Sequence, residues 1–112
     1  MTIPIIANLE KLLDGPRDGA LLRYSLGNEW FKAGDAARAA NYFRAAVERD
    51  PNYSAAWKLL GQACQRLGML EEARQAWHNG LEVARKRGDK QTEKEMTVFL
   101  RRLEKAARAP EA

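Results

Sequence analysis

The side chains able to do chemistry in this sequence are few and poorly spaced for it. Nucleophilic catalysis needs a thiol or hydroxyl beside a base, with a third group to orient the base. The chain of 112 residues has one cysteine, Cys64, and one histidine, His78. Cys64 falls on a helical packing position and His78 directly follows Trp77, another packing position, so neither is expected to be catalytic. One cysteine excludes an internal disulfide, and one histidine leaves almost nothing to build a zinc site; no metal and no cofactor is expected. Carboxylates are plentiful, but a pair such as Glu71 and Glu72 opens a helix, where negative charge suits the helix dipole. The glycines Gly27, Gly34, Gly61 and Gly68 are spread through the chain rather than gathered into a phosphate-binding loop. A non-enzyme is expected, and the residues left to carry function are those of a binding surface.

The elements that must position such a surface are helical. Alanine occurs 19 times and leucine 13, whereas valine, isoleucine and threonine together make nine, four of them within the first six residues, so a sheet is not expected. With 46% hydrophobic and 30% charged residues the composition is that of a globular domain, and no apolar run reaches the roughly 18 to 20 residues that cross a bilayer. The first lysine is Lys11, after Glu10, which is unlike the basic start of a secretory leader; the expected location is the cytoplasm. The formal charge of +4 lies in the second half: residues 1–53 carry 7 basic and 7 acidic side chains, residues 54–112 carry 12 and 8. That imbalance permits an acidic partner without requiring one.

One fixed offset along the chain aligns Leu26-Gly27 with Leu60-Gly61, Gly34 with Gly68, Ala39 with Ala73 and Glu48 with Glu82. Similar chemistry recurs at the same offset in Asn28 and Gln62, Lys32 and Arg66, Phe43 and Trp77, and Val47 and Leu81. Within a unit, apolar residues fall three or four apart, as in Leu22, Leu26, Trp30 and then Ala39, Phe43, Ala46, Val47, so each unit is an amphipathic helical hairpin. Gly34 suits a left-handed helix end and Asp35 a helix start; Asp50-Pro51-Asn52 closes the first hairpin. Six helices are expected, at about 3–14, 19–33, 36–49, 53–67, 70–87 and 90–108. Trp30, Trp57 and Trp77 all fall on core positions and are expected to be buried.

These residues resemble the tetratricopeptide repeat, a helix-turn-helix unit of about 34 residues. The first unit, 20–53, supplies Leu26, Gly27, Trp30, Ala39, Phe43, Ala46 and Pro51; the second, 54–88, supplies Trp57, Leu60, Gly61, Ala73, Trp77 and Gly80. Three positions depart from the family pattern: Arg23 replaces a bulky apolar residue, Cys64 an aromatic one, and Arg85 a closing proline. The resemblance implies an all-α fold, a right-handed superhelical stack of antiparallel helix pairs in one domain. Residues 1–19 would supply an N-terminal capping helix and 89–112 a C-terminal capping helix and tail, since an open stack leaves an apolar face at each end.

It also implies a module that binds a peptide or helix of a partner protein in its concave groove. Helical spacing puts Tyr24, Asn28, Phe31 and Lys32 on the groove face of one helix, and Lys58, Gln62, Gln65 and Arg66 on the next. Apolar groups of the partner would rest on Tyr24 and Phe31, with its polar or acidic groups meeting Lys58 and Arg66. Some family members grip C-terminal carboxylates with a lysine and an asparagine; here Asn28 is present but Tyr24 stands in the lysine's place, which disfavours that mode. Two alternatives remain. The basic residues from Arg85-Lys86-Arg87 through Lys90, Lys94, Arg101, Arg102, Lys105 and Arg108 suit a nucleic acid or other polyanion, although Asp89, Glu93, Glu95 and Glu104 interrupt them. A monomer is expected, with weak end-to-end self-association as the other alternative.

Overall fold

Most helix boundaries coincide with a residue that caps a helix or cannot continue one. In the computed structural model, which describes residues 3–108, the helices are α1 (Pro4–Glu10), α2 (Ala20–Lys32), α3 (Ala36–Arg49), α4 (Ser54–Arg66), α5 (Leu70–Arg87) and α6 (Lys90–Arg108). No strand occurs among the described residues. The turns after α2, α4 and α5 each hold a glycine at positive φ, 89°, 76° and 70° at Gly34, Gly68 and Gly88, where a side chain would strain the backbone. Asp35 then caps α3 by accepting from the Arg38 N–H at 3.0 Å, and Asp89 caps α6 by accepting from the Thr92 N–H at 3.2 Å. Met69, at the corresponding point before α5, offers no side-chain cap.

The helices form two layers. The α2, α4 and α6 helices touch in succession, whereas the backbones of α3 and α5 stay apart, bridged by α4 and by the ion pair of Arg44 with Glu72 at 2.6 Å. The layer of α2, α4 and α6 is therefore the inner, concave one, and α3 and α5 diverge on the outside. The molecule's smallest extent of 19 Å is that of two helix layers.

Small residues make this close stacking feasible. Ala39, Ala40, Ala46, Ala56, Ala63, Ala73 and Ala84 are fully buried at the crossings. Phe43 and Trp77, equivalent in the two units and both fully buried, each lie over a glycine of the preceding helix. A Cβ at Gly27 would come within 2.6 Å of Phe43 Cε1, and one at Gly61 would sit inside the Trp77 indole. Covering each ring removes enough apolar surface to contribute about 2–3 kcal/mol. Cys64 takes its aromatic's place as a small buried group. Arg23 is accommodated by a doubly hydrogen-bonded ion pair with Asp18, at 3.0 and 2.7 Å.

Two expectations need correction. The first helix ends at Glu10 rather than near 14, because Lys11–Asp14 turn and Asp14, at φ 63°, gives its N–H to Asp18 at 2.9 Å. The ion pair that anchors Arg23 thus also draws back the preceding loop. Of the three tryptophans only Trp77 is wholly buried. Trp57 is half-buried because its indole N–H reaches out to the Pro51 carbonyl at 2.8 Å, and Trp30 is half-buried under the Arg38 guanidinium, 4.7 Å from its ring centre. On the outside of α2, Ile6 of α1 packs with Leu22 and Leu26 in a small second core.

Candidate functional site

The inner face is set by three contacts between neighbouring helices of that layer. Arg66 of α4 lies over the ring of Phe31 of α2, 4.3 Å from its centre. Lys58 of α4 meets Glu95 of α6 at 3.2 Å. Tyr24 of α2 stacks on Tyr53, just before α4, at 4.8 Å and 30°. The structure therefore brings the sequence-selected residues to one face, but several are already engaged. Tyr24 also packs on buried Phe43 at 5.9 Å, and Phe31 meets the same ring edge-on at 6.3 Å, so both aromatics brace the core as well as bordering the groove. Lys32 is exposed and paired with Glu29 one turn back at 3.3 Å.

Among the described residues, Asn28, Gln62 and Gln65 make no side-chain hydrogen bond to the protein, and Arg66 has no carboxylate within ion-pair distance. Their amides and guanidinium are the groups of this face that folding leaves unused. A stacked guanidinium keeps its in-plane N–H donors, so Arg66 still presents a fork to a carboxylate.

Sequence reasoning missed two residues here. Leu21 precedes Tyr24 by three positions and Asn28 by seven, placing it on the same face, and it is 68% exposed, the largest exposure of any bulky apolar side chain described. Its i, i+3, i+7 spacing was the available signal. Glu95 reaches the groove from α6, 37 residues from Lys58, and no local pattern reveals that pairing.

The residues weighed for chemistry, Cys64 and His78, lie on different helices, α4 and α5. Cys64 is buried, and burial pushes its thiol pKa up, away from the reactive thiolate. Its polar neighbour Arg44, 4.0 Å away, is turned to Glu72, which it binds at 2.6 and 2.8 Å and holds below the ordinary carboxylate range. His78 is exposed on α5. No cluster of three or more His, Cys, Asp or Glu side chains suited to a metal occurs among the described residues. No described helix is long and apolar enough to cross a membrane.

Two layers of paired helices, with a ring laid over a glycine in each repeat, define a tetratricopeptide-repeat solenoid, and the comparisons agree. A tetratricopeptide repeat family model matches residues 31–89, and the chain belongs to that family. It is 57% identical over 102 residues to a TPR repeat-containing protein of Pseudomonas aeruginosa, covering 91% of this chain and 97% of that one. A Bordetella parapertussis protein solved in solution is 43% identical, with a TM-score of 0.79 over 95% of this chain and 91% of its own. The first TPR domain of Spaghetti (RPAP3), solved with the HSP90 peptide SRMEEVD bound, shares the fold at 24% identity, with a TM-score of 0.79 over 93% and 78% of the two chains.

Proposed function

We propose that this protein is a non-catalytic adaptor of the cytoplasm whose inner face receives an extended peptide or a helix of a partner protein. The observation that carries the reading is the row of groups left unused across α2 and α4: Leu21 exposed at one end, the amides of Asn28, Gln62 and Gln65 between, and Arg66 beyond. Covering Leu21 would contribute about 1.5–3 kcal/mol, enough to anchor a short segment. The amides suit a partner's backbone, and Arg66 suits a carboxylate. Lys58 contributes less than its charge suggests, because Glu95 already neutralises it. That the same fold in the Spaghetti domain holds an acidic peptide supports the mode of binding, though not the particular residues.

The polyanion alternative gains nothing from the cations that the fold engages: Arg85 faces Glu93 at 3.5 Å, and Arg87 donates to the Asn52 carbonyl at 2.6 Å. The test is selection from a phage-displayed peptide library. Selected peptides are expected to combine an apolar residue with an acidic one and to bind the Leu21→Glu/Arg66→Glu variant at least tenfold more weakly. Leu21 lies in a helix's first turn, where glutamate is tolerated, so the variant should keep its helicity. Equal affinity for wild type and a folded variant would remove the inner face from the mechanism.

A further inference from the structure

The turns of the two helical hairpins have the same backbone and opposite chemistry. Between α2 and α3 the chain reads Ala33-Gly34-Asp35-Ala36; at the equivalent place between α4 and α5 it reads Leu67-Gly68-Met69-Leu70. Both glycines take positive φ, so the turn is the same. The second repeat replaces two alanines and the capping aspartate with three large apolar residues. All three remain exposed in part: Leu67 is 40%, Met69 42% and Leu70 49% exposed. The α5 helix is left without the side-chain cap that α3 has. Helix initiation gains nothing from these substitutions, and each leaves apolar surface in solvent that a second molecule could cover.

Beside this corner, α5 and α6 leave a depression of about 290 Å³. Leu70, Leu103 and Ala107 form its apolar part, while Glu71, Arg74, Glu104 and Arg108 make up the rest of its lining. Glu71 and Arg74 pair at 3.0 Å, but both are well exposed, so the pair is weak and can be exchanged. The two carboxylates and two guanidiniums balance. A polyanion or an acidic peptide would meet Glu71 and Glu104, and a membrane surface would need an excess of cations. A second copy related by a two-fold axis, in contrast, carries the same two cations and two carboxylates, so that each cation has a carboxylate to meet on the opposite copy while apolar surface lies on apolar surface.

We infer that this corner is a self-complementary interface through which the protein pairs with a second copy of itself, Met69 and Leu70 of one copy covering the depression of the other. It lies at the turn edge of the solenoid, where it adjoins Arg66 at one end of the row and leaves Leu21, Asn28 and Gln62 clear, so the pair would present two inner faces at once. The patch is small, and the association falls in the weak, transient class.

Analytical ultracentrifugation tests this. The mass of the wild type is expected to rise from 12.6 kDa towards twice that between micromolar and millimolar concentration. The Met69→Asp/Leu70→Ala variant, which gives the second turn the first turn's chemistry, should associate at least tenfold more weakly while melting no lower, because it regains a cap. Arg74→Glu and Glu71→Arg should each be monomeric alone and should associate when mixed, since only the mixture brings opposite rims together. The groove variant Leu21→Glu, changed at the end of the row far from this corner, should pair as the wild type does, which separates this interface from the proposed function. Four results would each overturn the inference: a wild type that stays at 12.6 kDa to millimolar concentration, an undiminished Met69→Asp/Leu70→Ala pair, no association in the charge-reversed mixture, or loss of pairing in the groove variant.

Discussion

Gly61→Ala adds one methyl group and should unfold the protein about 10 °C earlier. The new Cβ would lie 2.5 Å from Cδ1 and Cε2 of Trp77, against the roughly 3.5 Å at which carbon atoms rest. The indole has little freedom to yield: it is wholly buried, is flanked by Phe99 at 5.3 Å, and donates its N–H to the Lys58 carbonyl at 3.0 Å. Overpacking of this kind costs about 1–3 kcal/mol, and displacing the indole from its carbonyl adds about 1 kcal/mol. Alanine's better helix propensity returns about 1 kcal/mol. The net is about 2 kcal/mol, and at about 4–8 °C per kcal/mol for a domain slightly smaller than this one, Tm falls by roughly 10 °C. Gly27→Ala meets Phe43 at 2.6 Å but breaks no hydrogen bond, so it should cost about half as much. Gly19→Ala, with nothing within 4 Å and an extended backbone, should stay within about 0.5 kcal/mol. Thermal melts followed by circular dichroism rank the three; a Gly61→Ala protein melting at or above the wild type would refute the ring-over-glycine account.

Other consequences are equally accessible. Tyr24→Ala should cost about 1–3 kcal/mol in urea unfolding, since it strips the ring from Tyr53 and Phe43; no loss would make Tyr24 a groove residue alone. The Cys64 thiol should react with a disulfide reagent only after denaturant is added, and rapid stoichiometric labelling of the native protein would contradict its burial. Asp18, Glu72 and Asp89 are held below the ordinary carboxylate range, chiefly by hydrogen bonds from Arg23, Arg44 and Thr92 respectively. Their folded pKa values lie below the unfolded ones, so the stability they supply is complete above about pH 5 and lost as pH falls through that range. The urea midpoint should drop between about pH 5 and 2, and by less in Asp18→Asn; a flat profile would argue against these pairs.

The helices from Ala20 to Arg108 were legible because their signals are local. Apolar residues three or four apart mark a buried stripe whatever lies opposite, and glycine with aspartate, or proline, marks a boundary through backbone geometry alone. Repetition at a fixed offset then supplied the pairing of helices, since the same stripe twice demands the same partner twice. The first helix was overextended because the event that ends it, Asp14 turning to Asp18 under the hold of Arg23, involves side chains whose meeting no stripe encodes.

The candidate site divides along the same line. Sequence by itself determined which residues of α2 and α4 share a face, because the helical period fixes that relation within a helix. Only the tertiary structure decided which of them are at liberty to bind. Lys58 is neutralised by Glu95 across two helices, Tyr24 is drawn into an aromatic stack, Arg66 is laid on Phe31, and Leu21 is left bare. Periodicity carries the direction in which a side chain points, whereas its partner comes from another helix at a distance and angle that the packing of the whole stack sets.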